Sequence, residues 1–133
     1  MSDFPEGLQY TKDHEWAKVE GDRVRVGITS FAVEQLGDIT LVSFDVKPGD
    51  KLEAGKAFGT IESVKTLSDL FAPIAGKVVE LNADLDKKPE LVNEDCYGKA
   101  WMIVIEPDTK PFSISGSGLL DLAAYTAHVK ASQ

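Results

Sequence analysis

The chain has 133 residues, 43% of them apolar and 27% charged, which suits one domain with a real core and an ordinary soluble surface. With 22 acids against 14 bases its formal net charge is -8, a balance that opposes approach to a phosphate backbone and disfavours nucleic-acid binding. No apolar run approaches the roughly 20 residues of a membrane span. The lone cysteine, Cys96, permits no intrachain disulfide and fits a reducing compartment. Met1 to Glu6 has neither the basic nor the apolar region of a secretory signal, and it lacks the Arg-rich character of a transit peptide. The expected location is therefore cytoplasmic.

In chain order, Trp16 to Glu20 and Arg23 to Ile28 alternate apolar and polar residues around Gly21-Asp22, the signature of a hairpin with a two-residue turn. Thr29 or Ser30 can cap a short helix, Phe31 to Leu36, that stops at Gly37. Ile39 to Asp45 is β-branched and aromatic and reads as a strand. Lys47-Pro48-Gly49-Asp50 is a turn, Lys51-Leu52 a short strand, and Ala54-Gly55-Lys56 a second turn. Ala57 to Ser63 is the next strand, and Leu67 to Ala72 returns from it. Pro73 to Gly76 turns again into a strand at Lys77 to Leu81. Asp84 to Lys88 is polar and loop-like. Pro89 to Asn93 resembles one helical turn, with Pro at a permitted first position. Trp101 to Ile105 has the look of a buried strand. After a Pro/Gly/Ser-rich connection at Thr109 to Ser117, the period changes. Leu119, Leu120, Leu122, Ala123, Tyr125, Ala127 and Val129 suit an amphipathic helix over about 118–131.

Many short strands, frequent Gly/Pro turns and one closing helix predict a mostly β protein, a small antiparallel sandwich or barrel with a helical addition. A faint echo relates Pro48 to Glu62 and Pro73 to Glu80, each running from a Pro/Gly turn into a β-branched strand. A fold of two similar halves places the turn that joins them, Val64-Lys65, at an exposed tip.

Lys65 at such a tip is accessible and chemically addressable, as a covalent cofactor attachment requires; it also fits an ordinary solvated hairpin lysine. Small Ser63 and Thr66 leave room for a second protein to grip the tip, and Glu62 and Asp69 flank it. An amide formed there removes the lysine charge. Cys96 lies among acids that raise a thiol pKa and blunt reactivity. His14 and His128 have no nucleophile to pair with, metal-ligand spacing is absent, and no phosphate-binding glycine motif appears. A self-contained enzyme is therefore not expected.

Glu62-Ser63-Val64-Lys65 followed by Ser68-Asp69-Leu70-Phe71-Ala72-Pro73 resembles the lipoyl-attachment segment of glycine cleavage system H proteins. Further similar segments run in order along nearly the whole chain: His14-Glu15-Trp16, Val26-Gly27-Ile28-Thr29, Gln35-Leu36-Gly37-Asp38, Gly55 to Gly59, Pro89 to Asn93, Tyr97 to Trp101, and Leu119-Leu120-Asp121 with Tyr125. Biotin carriers usually set Met on both sides of their lysine, where this chain has Val64 and Thr66. Lipoyl domains of 2-oxo acid dehydrogenases typically have Asp at the Val64 position. Thr66 departs from the Ala more common in H proteins, and Cys96 from the small residue or Pro common there.

The resemblance implies a barrel-sandwich hybrid of the lipoyl/biotinyl-carrier kind with short helices and a C-terminal α-helix, one domain over 1–133 with a core at about 8–107. It implies lipoic acid in amide linkage on Lys65, with Glu62, Ser63 and Val64 as the attachment motif. The arm accepts an aminomethyl group from a pyridoxal-phosphate glycine decarboxylase and passes it to a tetrahydrofolate-dependent aminomethyltransferase. A dihydrolipoyl dehydrogenase reoxidises the arm, and a lipoate ligase or lipoyl transferase installs it. Asp13, Glu15, Ile28, Leu36 and Asp69 match positions that line the family's arm cleft: the apolar pair excludes water, and the acids bind the ammonium head. A monomer is expected. The alternative reading is a lipoyl-relay protein that carries the same group on Lys65 but hands it to other enzymes. An unmodified structural β domain would not produce these segments in this order.

Overall fold

The computed structural model describes residues 6–108 and 119–132. The first strands are β1 (Gln9–Tyr10), β2 (Glu15–Glu20) and β3 (Arg23–Ile28). Gly21 turns the β2–β3 hairpin at φ +63 while Asp22 keeps a negative φ, the pattern of a II′ turn. The first helix, α1 (Ser30–Leu36), is capped by Thr29, whose side chain accepts from the Ala32 N–H, and ends at Gly37 with φ +82. Both limits follow the expected capping.

The chain continues through β4 (Ile39–Phe44), β5 (Lys51–Leu52), β6 (Ala57–Ser63), β7 (Leu67–Phe71) and β8 (Gly76–Leu81). Two short helices follow, α2 (Asp84–Lys87) and α3 (Leu91–Glu94), then β9 (Ile103–Pro107) and α4 (Leu122–Ser132). Two antiparallel sheets result, one in the order β1-β2-β3-β9-β8-β5 and the other β4-β6-β7. Their inner faces share a core that includes Val26, Ile28, Val42, Phe58, Ile61 and Ile105. This is the expected mostly β barrel-sandwich with short helices and a C-terminal helix.

The segments related by the echo meet in the larger sheet. β5 of one pairs with β8 of the other, Lys51 opposite Lys77 and Leu52 opposite Gly76. Reciprocal bonds tie the turns as well: the Gly55 N–H donates to the Ala72 carbonyl, and the Ala72 N–H to the Lys56 carbonyl, both at 2.8 Å.

Several elements depart from expectation. Asp84 to Lys87 is helical where a loop is predicted, because Leu85 is buried and Asn82 Oδ1 accepts the Asp84 N–H at 3.1 Å. α3 starts at Leu91, with Pro89 in the turn before it. β9 starts at Ile103 and not at Trp101, whose carbonyl is taken by the Asn82 side chain at 2.7 Å. The C-terminal helix starts at Leu122 and not near residue 118. Leu120 is extended and exchanges two backbone bonds with Tyr10, and Asp121 Oδ1 then accepts the Ala124 N–H at 2.8 Å. The Pro/Gly/Ser-rich connection at Thr109 to Ser117 lies outside the described residues.

A second apolar cluster joins α4 to the outer edge of the larger sheet. Leu8, Tyr10, Trp16, Phe31, Tyr125 and Val129 are buried together. The Trp16 indole donates to the Cys96 carbonyl at 2.9 Å and lies across Gly27, where an added Cβ would meet ring atoms at 2.6 Å. Gly27 is thus fixed by close approach of the indole.

Candidate functional site

The β6–β7 hairpin carries the lysine. Ser63 ends β6, and its Oγ accepts the N–H groups of both Lys65 and Thr66, each at 3.2 Å. The Ser63 N–H donates to the Thr66 carbonyl at 2.8 Å. This side-chain-organised turn needs a short hydroxyl residue at its base. The Val64 N–H donates to the Asp38 carbonyl at 3.0 Å, which anchors the tip to the loop after α1. Asn93 holds that loop in turn, accepting from the Ile39 N–H and donating to the Gly37 carbonyl, both at 2.9 Å. The backbone of the tip is pinned while the Lys65 side chain is exposed.

Beside the hairpin is a cleft of about 140 Å³. Ile28, Leu36, Ile61 and Leu70 form its apolar surface, and Asp13, Glu15, Ser68 and Asp69 bring polar groups to it. The Lys65 side chain runs along Gly37, the residue after Leu36, so the lysine stands at the end of α1, whose Ala32, Gln35 and Leu36 line the cleft.

Glu15 is the buried acid of the cleft, 2% exposed at the start of β2. Thr11 Oγ1 donates to its Oε1 at 2.7 Å, and the Phe71 N–H, on the free edge of β7, reaches Oε2 at 3.4 Å. Burial pushes its carboxyl from 4.5 up to about 8; the two donors and then the Asp13 charge modify that, the donors downward and Asp13 upward. A carboxyl poised this way takes a charge readily once a cation enters beside it.

The structure brings Asp13, Glu15, Ile28, Leu36 and Asp69 to one cleft. Asp13 and Asp69 are exposed at its rim, on the β1–β2 turn and on β7. Glu62 is not in the cleft. It sits on the outer face of the smaller sheet, opposite Leu41 on one side and Leu67 on the other. Val64 and Leu67 are 67% and 63% exposed, so the lysine is flanked by apolar side chains turned to solvent. Cys96 is half-buried and its thiol is pushed up to about 11, by burial first and the Asp95 charge last, so the neighbouring acids are the smaller cause.

Sequence reasoning missed Thr11, which holds Glu15, and the pairing of His14 with the C-terminal helix. The Thr-x-x-x-Glu spacing is a tight turn between β1 and β2, and β1 is too short to announce itself. His14 has φ +70, a left-handed value for a non-glycine residue that its sequence context does not signal.

A barrel-sandwich that presents a lysine at a pinned hairpin tip defines a protein of the lipoyl/biotinyl-carrier class. The glycine cleavage H-protein profile matches residues 8–132. The chain is 58% identical over 107 residues to a glycine cleavage system H protein of Halalkalibacterium halodurans, covering 80% of this chain and 83% of that one. It is 52% identical over 126 residues to one from Bacteroides thetaiotaomicron, covering 95% and 97%. A crystal structure of a glycine cleavage system H protein from Mycobacterium marinum superposes with a TM-score of 0.83 at 37% identity, covering 95% of this chain and 98% of that one. The chain belongs to the glycine cleavage H-protein family.

Proposed function

We propose that this chain is the lipoyl carrier of a glycine cleavage system, acting as one monomeric carrier unit in the cytoplasm and not as an enzyme in its own right. The observation that carries the reading is the pairing of an exposed Lys65 on a pinned tip with an adjacent cleft that holds a buried acid. The residues fit a lipoyl group. The apolar surface of Ile28, Leu36, Ile61 and Leu70 suits an alkyl chain and dithiolane, and Glu15 with Asp69 suits a cationic end. When bound, lipoic acid supplies the dithiolane that takes the aminomethyl group of glycine, gives it up to the folate enzyme and is reoxidised.

The protein's own residues do the rest. Ser63 and Asp38 fix the backbone of the tip, so a ligase or lipoyl transferase meets the Lys65 amine in a constant setting. Glu62, Val64 and Leu67 stand around that amine as contacts for visiting proteins. The cleft withdraws cargo from water, which slows hydrolysis of a labile aminomethyl group, and Glu15 offers a carboxylate to its ammonium. The partners in this reading are the pyridoxal-phosphate glycine decarboxylase, the tetrahydrofolate-dependent aminomethyltransferase and dihydrolipoyl dehydrogenase.

Intact-mass spectrometry of protein from its native host tests the attachment. A lipoyl increment that disappears in Lys65→Arg is the expected result, and a biotin increment or a permanently bare lysine overturns it. Reconstitution with the glycine cleavage enzymes tests the assignment further. Lipoylated protein that fails to support glycine decarboxylation but donates its lipoyl group elsewhere identifies a relay protein instead.

A further inference from the structure

Tyr125 of α4 is completely buried, yet its hydroxyl has two side-chain partners beside the cleft. His14 Nδ1 lies 2.8 Å from it and Thr29 Oγ1 lies 2.7 Å from it. His14 belongs to the wall that carries Asp13 and Glu15. Thr29 is the N-cap of α1, and α1 supplies Ala32, Gln35 and Leu36 to the cleft lining. The Thr29 N–H also donates to the His14 carbonyl at 2.9 Å.

Hydrogen bonds link the three side chains. The Ala32 N–H donates to Thr29 Oγ1 at 3.3 Å, using one of that oxygen's two lone pairs. In the arrangement that leaves Nδ1 as an acceptor, the Thr29 hydroxyl donates to the Tyr125 oxygen and the Tyr125 hydroxyl donates to His14 Nδ1. This requires a neutral His14 with its proton on Nε2. Burial, and then His128, lower the His14 pKa against an opposing pull from Asp13, which favours that neutral form. The His14 backbone sits at φ +70, and its ring also packs 4.7 Å from Phe31 and 5.4 Å from His128.

We propose that Tyr125 is a positioning residue for the arm cleft: its hydroxyl bridges the His14 ring and the Thr29 side chain and holds the His14 ring in place in the cleft lining, which makes the C-terminal helix part of the device that shields the cargo. The proposal rests on the carrier reading above. Packing alone does not explain the hydroxyl. Tyr125 stacks on Tyr10 with ring centroids 4.6 Å apart, and a phenyl ring would stack equally well.

The test compares wild type, Tyr125→Phe and Val129→Ala, all lipoylated, by the decay of the aminomethyl-loaded form. Val129 is buried on the same helix but has no polar side-chain atom, so its truncation loosens packing and leaves the bridge. The expected result is several-fold faster decay for Tyr125→Phe, with a normal lipoyl increment by intact mass, and wild-type decay for Val129→Ala. Nitrogen-15 shifts of the His14 imidazole in the wild type should report a single Nε2–H tautomer with Nδ1 as acceptor. Averaged tautomers overturn the bridge even if Tyr125→Phe does not fold. Unchanged decay in Tyr125→Phe, or equally fast decay in Val129→Ala, overturns the positioning role while the carrier reading stands. A wild type that takes no lipoyl group overturns both.

Discussion

The Lys65 side chain lies along Gly37, close enough that a Cβ added to Gly37 would stand 3.2 Å from Lys65 Cε. Gly37 has φ +82 and ψ -147, a region that glycine occupies and side chains avoid. The residue that stops α1 therefore also keeps a track open beside the lysine. Gly37→Ala should cost about 1–3 kcal/mol in stability and slow lipoylation of Lys65. Chemical denaturation and a ligase time course check the two effects. A destabilised protein lipoylated at the wild-type rate would show that the track does not matter to the ligase.

Ser63 is the hinge pin of the same tip. Ser63→Ala removes the acceptor for two backbone N–H groups, those of Lys65 and Thr66. Because the tip is close to water, the stability loss should be small, about 1 kcal/mol. The larger effect should fall on presentation, as a lower kcat/KM for the enzyme that modifies Lys65. Ser63→Thr keeps the hydroxyl and should retain most of the rate. Hydrogen exchange at the Lys65 and Thr66 amides should quicken in the alanine variant alone.

The hairpin and the cleft are legible in the sequence to different depths. The β2–β3 turn, the α1 caps and the β6–β7 hairpin announce themselves because Gly21, Thr29, Gly37 and Ser63 satisfy local rules. The start of α4 is not legible, since Leu119 and Leu120 continue the apolar period while Tyr10, more than a hundred positions away, draws Leu120 into an extended bridge. β9 begins late for a similar reason: the side chain of Asn82 takes the Trp101 carbonyl. The cleft itself is assembled from the β1–β2 turn, the start of β2, the end of β3, α1, β6 and β7. Its membership is suggested by family resemblance and by no spacing in the chain; the supports behind it are equally unheralded, Thr11 reaching Glu15 across a tight turn and Tyr125 reaching His14 from the far end of the chain.

The net charge of -8 bears on how the carrier meets its partners. In the proposed role, contacts with several enzymes must be brief, and a charged carrier can gain encounter rate without long residence. Raising ionic strength from about 0.01 M to 0.15 M shortens the screening length from roughly 30 Å to 8 Å. The apparent association rate with each glycine cleavage enzyme should fall over that range. Stopped-flow or steady-state titration measures it, and rates that ignore salt with all partners would remove steering from the account.

Glu15 ties stability to pH. Its carboxyl titrates near 4.5 when unfolded and is raised to about 8 in the folded protein. Below pH 4.5 both states hold the proton and burial costs nothing in charge. Between 4.5 and 8 the unfolded chain has released the proton and the folded chain retains it, so this group lowers stability as pH rises, by up to about 1.4 kcal/mol per pH unit. Above 8 the penalty is complete and constant. Gln cannot titrate, so the stability of Glu15→Gln relative to wild type should climb across this window and level off above it. A difference independent of pH would mean that Glu15 titrates normally in the fold.

The same burial that costs stability prepares Glu15 for a cation. In the proposed function, an ammonium brought into the cleft by the arm would replace the missing counter-charge and favour the ionised carboxyl. Thr11 and the Phe71 N–H already point donors at it. Glu15→Gln keeps one oxygen for Thr11 but loses the charge, so lipoylation should proceed while the aminomethyl-loaded protein decays faster, with earlier release of formaldehyde. The decay difference should persist below pH 8, because the bound ammonium keeps the wild-type carboxyl ionised, and should shrink only on further acidification. Mass spectrometry of the purified loaded forms at several pH values follows the decay. Identical lifetimes across that range would mean that the carboxyl does not hold the cargo and that the apolar walls protect it alone.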